Sequence, residues 1–199
     1  MFAQSSSSNS SRRTEKPPEH IVAALEPGTV TNNIYRNKTL GLSCKIPEGW
    51  VLRTHELNSH EEEQPDASQP ASSAGSQVLV AAFSRPPEAQ GEDVNSSILI
   101  AAEPQSTYPG LKEAAQYFGP LSEVAKAQGF TQDEDLYEVM IGAKTLVRAD
   151  FHKNVGKRVM RQSTLAMLSH GYAVSITVIA GTEQELEGLI DGLSFAPTK

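Results

Sequence analysis

The sequence predicts an α+β domain: an α/β/α sandwich in which a mainly antiparallel sheet is covered by amphipathic helices. Three observations carry that expectation. Short apolar runs of strand length, bounded by Gly, Pro, Asn and His turns, fill most of the chain. Only two stretches repeat apolar residues at the i, i+3, i+4, i+7 spacing of a helix face. These two do not alternate with strands in the βαβ rhythm that makes a parallel sheet. A chain of 199 residues accommodates one such domain plus a tail.

Residues 1–28 hold scarcely an apolar side chain before Ile21-Val22-Ala23-Ala24-Leu25, so they read as a disordered Ser-rich tail, with that run expected to clip onto the body. Met1-Phe2-Ala3-Gln4 ahead of the serines 5–8 is similar to the trailing end of an export signal followed by a spacer. A secreted or periplasmic location is therefore expected; the alternative is a cytoplasmic protein with a disordered start.

The single domain spans residues 29–199. Ile34-Tyr35 and Leu40-Gly41-Leu42 flank a polar Arg36–Thr39 stretch and read as a hairpin, which runs into the corner Ile46-Pro47-Glu48-Gly49-Trp50. Trp50, the one tryptophan, and Tyr35 are expected to anchor the core. Residues 55–75 form an acidic, Ser/Pro-rich stretch without periodicity and read as a flexible loop. Residues 76–84 and 97–102 are continuous apolar runs, as in central strands covered on both faces.

Leu111, Ala114, Ala115, Phe118, Leu121 and Ala125 make a helix face, with Pro109 placed for a first turn and Pro120 expected to kink it or divide it before Gly129. Four strands follow, joined by turns at Gly142-Ala143, Asn154–Lys157 and His170-Gly171. Thr182-Glu183-Gln184-Glu185 has the pattern of a capping box, ahead of a stripe of Leu186, Leu189, Ile190 and Leu193 and a short strand-like tail.

The residues carry few signs of chemistry. A net charge of -7 argues against a nucleic-acid surface, and no apolar run approaches the roughly 20 residues of a membrane span. Cys44 is the single cysteine, so there is no internal disulfide and no thiolate zinc site; it reads as a small core residue. GxSxG, P-loop and GxGxxG motifs are absent, and Ser163 and Ser169 meet His152 and His170 only in strand order. No enzyme activity and no cofactor are expected. His55, Glu56, His60, Glu61, Glu62 and Glu63 supply ligand types for a divalent ion, yet their Ser/Pro-rich flanks read as solvated loop, so no metal site is assigned. Arg148, Asp150 and His152 fall on one strand face, opposite Val147 and Phe151, and a neighbouring strand can bring Arg158, Arg161 and Ser163 beside them. Arg148, His152 and Arg161 are thus candidates for binding an acidic ligand. The other reading of this group is a salt-bridged outer sheet face.

The hairpin Tyr35-Arg36-Asn37-Lys38-Thr39-Leu40-Gly41-Leu42-Ser43, the Ile46–Trp50 corner, the Gly142-Ala143-Lys144 and His170-Gly171-Tyr172 turns and the closing helix together resemble the PsbP-like fold. That fold is shared by extrinsic photosystem proteins, Ran-binding Mog proteins and bacterial DcrB-like exported proteins, and the resemblance covers residues 30–197. It implies a binding or assembly module with a protein or cell-envelope partner. No manganese, calcium or Ran site is carried over by matching residues. The function expected is a non-enzymatic exported module acting through a sheet face or the long loop. The alternative is a small-ligand or metal-binding protein using Arg148, His152 and Arg161 or the His55/His60 segment.

Overall fold

The computed structural model describes residues 25–63, 76–91 and 93–196, with the backbone alone for 60–63. The expected tail up to residue 24 and the part of the expected loop from 64 to 75 lie outside the described residues. At the boundary Leu25 is buried in the main core, and its carbonyl accepts from Gln77 Nε2 at 3.0 Å.

The strands divide between two antiparallel sheets, where the sequence suggested one. The smaller contains β1 (Thr29–Thr31), β2 (Ile34–Asn37), β3 (Leu42–Lys45) and the last strand, β12 (Leu193–Phe195), in the order β1-β2-β3-β12. The larger contains β4 (Val51–Leu52), β5 (Gln77–Phe83), β6 (Ser97–Pro104), β7 (Thr131–Gln132), β8 (Tyr137–Ile141), β9 (Lys144–Val155), β10 (Arg158–Ser169) and β11 (Tyr172–Ala180). Its order is β4-β5-β6-β11-β10-β9-β7, with β8 also paired to β9. The Ile46–Trp50 corner explains the division. Pro47 has no N–H for a ladder and Gly49 sits at φ +82°, so the chain leaves β3 and re-enters the other sheet at β4.

Turn chemistry fixes the registers. Asn32-Asn33 joins β1 to β2 and His170-Gly171 joins β10 to β11, each with φ positive at both positions, the backbone of a two-residue hairpin turn whose twist matches its strands.

Three α-helices among the described residues complete the domain. α1 (Thr54–Glu63) occupies the first part of the stretch read as loop, which corrects that expectation. A 3-10 turn (Ala114–Tyr117) runs into α2 (Phe118–Ala127), so Pro120 lies in the first turn of α2, where its missing N–H costs no hydrogen bond. α3 (Glu183–Ile190) is capped at Thr182, whose side chain accepts from Glu185 N, but the expected capping box is only half formed: the Glu185 carboxylate accepts from Gly181 N and Ser96 Oγ rather than from the Thr182 backbone.

The larger sheet is apolar on both faces. Leu146, Leu165, Met167, Val174, Ile176 and Val178 turn towards α3 and the smaller sheet, whereas Ala149, Phe151, Ala166 and Ala173 turn towards α2. Tyr35 is fully buried and burial pushes its phenol up to about 12; Trp50 is half-buried and packs on the margin of the same core.

Candidate functional site

Period-2 alternation along β9 puts Leu146, Arg148, Asp150 and His152 on the α3 side of the larger sheet. The β9–β10 register sets Arg161 opposite His152 and Ser163 opposite Asp150; that of β8 sets Tyr137 opposite Arg148. The three residues singled out for an acidic ligand therefore do share one neighbourhood. Arg158 falls at the opposite parity and lines a different recess.

Arg148 is already occupied. Its Nε donates to Asp150 Oδ1 at 2.9 Å, its Nη1 to Glu187 Oε2 at 3.2 Å, and its Nη2 to Glu187 Oε1. The Tyr137 ring lies 5.8 Å from the guanidinium carbon, and the Tyr137 hydroxyl donates to Asp150 Oδ2. Burial alone weakens the charge on Arg148, but the hydrogen bonds it donates to Glu187 and Asp150 outweigh it and hold the group above its ordinary value. Burial, then the Asp150 carboxylate, raises the Tyr137 phenol.

His152 Nδ1 is bonded to Asp133 Oδ1. Of the three, only the Arg161 side chain makes no hydrogen bond or ion pair among the described residues. The recess here, about 270 Å3, is lined by the carboxylates of Asp133, Glu134, Asp150, Glu183 and Glu187 against two guanidiniums, Arg148 and Arg161. A face that reads as basic along β9 and β10 is acid-rich once α3 and the segment after β7 are laid over it. The cluster binds α3 to the sheet.

The remaining sequence candidates are placed as follows. Cys44 is fully buried and burial pushes its thiol up to about 12. Ser163 is fully buried with no partner for its Oγ among the described residues. Ser169 Oγ lies 2.9 Å from His170 Nδ1, but the two are neighbours in one exposed turn. His55 is bonded within α1 to Ser59. Among the described residues no group of three His, Cys, Asp or Glu side chains is placed to hold a metal ion.

The two sides of the larger sheet are finished differently. Beyond β4, the backbone of β5 is covered by α1 and the residue before it: Arg53 N donates to Ala81 O at 2.9 Å, Thr54 Oγ1 accepts from Ala81 N at 3.0 Å, and Asn58 bonds both the N–H and the carbonyl of Val78. Such covering keeps a sheet from recruiting further strands. On the far side β8 pairs with β9 alone, and no hydrogen bond among the described residues reaches its outer backbone. Met140 on β8 is 76% exposed, with Leu136 and Tyr137 also exposed.

The fold and site define an α+β domain of mostly antiparallel sheet, and no helix of its described residues is long and apolar enough to cross a membrane. No family model matches the chain, and no curated protein does. Among solved structures it is similar to PA94 of Pseudomonas aeruginosa, a protein of unknown function, at 18% identity over 68% of this chain and 90% of that one, with a TM-score of 0.40. It is also similar to LpqN of Mycobacterium tuberculosis, involved in cell envelope biogenesis, at 12% identity over 78% and 83% of the two chains, TM-score 0.34. A third is a protein from Bacteroides thetaiotaomicron, at 13% identity over 78% of this chain and 45% of that one, TM-score 0.38.

Proposed function

We propose that the chain is a non-enzymatic, exported binding or assembly module of PsbP-like fold, and that it takes up an extended segment of a partner protein at the β8 edge of its larger sheet. The bare edge of β8 carries this reading. β4 and β7, the other strands bordering this sheet, have two residues each, whereas β8 has five, with Glu138 as its one charge and no proline. Edges left this long and this apolar invite strand addition, in which backbone hydrogen bonds supply affinity and pockets for alternate side chains supply selectivity. The PsbP-like part is supported by the hairpin, corner, turns and closing helix that carry the resemblance. Burial of Cys44 and Ser163 supports a non-enzymatic role, and export rests on the Ser-rich composition of residues 5–11.

A photo-crosslinking residue placed at Met140 in the full chain, expressed in its host, is expected to capture one protein that the same residue at Val124, exposed on α2, does not. The captured protein, purified, then binds the chain and loses at least tenfold in affinity to Met140→Lys. Equal labelling at both positions, or unchanged affinity in Met140→Lys, overturns the assignment of the edge. Fractionation of the host with cytoplasmic markers overturns export.

A further inference from the structure

A second recess, about 540 Å3, opens where the β5–β6 connection, the first residues of β10 and the turn into α3 meet. Its polar groups separate into those that are matched and those that are not. Ser84 Oγ donates to Asn95 Oδ1 at 2.9 Å, and Ser96 Oγ donates to Glu185 Oε1 at 2.7 Å. Glu185 Oε2 accepts from Gly181 N at 3.3 Å, and Thr182 Oγ1 accepts from Glu185 N at 3.1 Å. The three hydroxyls and the Glu185 carboxylate thus each have a partner within the protein.

The two guanidiniums are not neutralised. The Arg158 side chain makes no hydrogen bond or ion pair among the described residues. Arg85 donates from Nη2 to the backbone carbonyl of Asp93 at 2.5 Å, and its buried Nε has no partner among the described residues. Neither arginine pairs with the exposed Asp93 carboxylate at the rim. Arg85 is also held in place: a Cβ on Gly91 would stand 2.6 Å from its Cζ, so the loop lies directly against the guanidinium. In a chain with 24 acidic and 17 basic residues, a recess where two arginines lack a carboxylate partner, one of them with a buried, unpartnered Nε, stands out as a place for an acceptor. The contrast with Arg148, whose three nitrogens all have carboxylate partners, sharpens the point.

We propose that this recess binds a small molecule bearing carboxylate or phosphate groups, held between Arg85 and Arg158. Guanidinium forks match the planar spacing of such oxyanions, and the volume falls within the roughly 300–1,000 Å3 of small-molecule sites, more than a bare phosphate fills. The proposal is independent of partner binding at β8.

Citrate and inorganic phosphate, each compared with KCl at equal ionic strength, test it on the full chain by thermal shift and calorimetry. At least one raises Tm with saturation. Arg158→Gln, on an exposed side chain whose loss leaves the fold intact, weakens that ligand at least tenfold, while Arg161→Gln in the other recess does not. A response to citrate alone assigns carboxylates, and a response to phosphate alone assigns phosphoryl groups. Absence of any shift above KCl, a shift retained in Arg158→Gln, or equal loss in Arg161→Gln overturns the proposal.

Discussion

Asn58 and Val78 are bonded twice: the side-chain amide donates to the Val78 carbonyl at 2.9 Å, and the side-chain oxygen accepts from the Val78 N–H at 2.9 Å. One amide group thereby imitates a neighbouring strand, next to the irregularity where the β5–β6 register shifts between Val78 and Val80. Asn58→Ala leaves both backbone groups unmet in a half-buried place. It is expected to cost about 1–3 kcal/mol in urea unfolding. An unchanged midpoint would show that α1 contributes nothing to closing this edge.

The tie between Arg148 and Glu187 joins β9 to α3. Glu187 is half exposed, so Glu187→Gln leaves Arg148 its Asp150 partner and is expected to cost only about 1 kcal/mol. Arg148→Ala takes a buried cation from between two carboxylates and is expected to cost roughly 3 kcal/mol. Denaturation of the two single mutants and the double mutant measures the coupling; strictly additive losses would mean the pair contributes no interaction of its own.

Cys44 and Tyr35 make stability fall in alkali. Burial raises the Cys44 thiol from 9.0 to about 12 and the Tyr35 phenol from 10.0 to about 12. Above the ordinary values the unfolded chain releases protons that the folded chain keeps. Stability is therefore intact below about pH 9 and is lost as pH climbs towards 12, at about 1.4 kcal/mol per pH unit for each group. Cys44→Ala should flatten the early part of that decline. At pH 8 a thiol reagent should label Cys44 only after denaturant is added; rapid labelling of the native chain would contradict its burial.

Two glycines give opposite predictions. Gly142 has φ +58°, and a Cβ there would lie 2.7 Å from the carbonyl oxygen of Phe195, so Gly142→Ala must displace backbone and should cost more than about 2 kcal/mol. Gly188, inside α3 with open space around it, should gain about 0.5–1 kcal/mol as Ala. Thermal melts of both variants decide the matter, and a neutral Gly142→Ala would refute the close approach.

What the sequence disclosed follows the range over which its signals act. β9, β10 and β11 were legible because strand alternation and their turn residues lie within a few positions of each other. β1 was not, being three exposed residues, Thr-Val-Thr, whose Asn32-Asn33 turn is its one mark. α1 escaped notice because it is held by Asn58 and the Arg53–Glu56 ion pair rather than by an apolar stripe. At the candidate site the shared face of Arg148, His152 and Arg161 could be read from parity. The acids that surround it could not, because Glu187 and Asp133 arrive from segments 39 and 19 positions away from their partners.

The pairing of Leu193–Phe195 with Leu42–Cys44 sets an order of events during synthesis. The early hairpin emerges from the ribosome with one flank open and waits through about 150 further residues for the strand that seals it. Until then the apolar residues of β3 have only local partners, and a chaperone or a stray strand competes for the place that β12 finally takes.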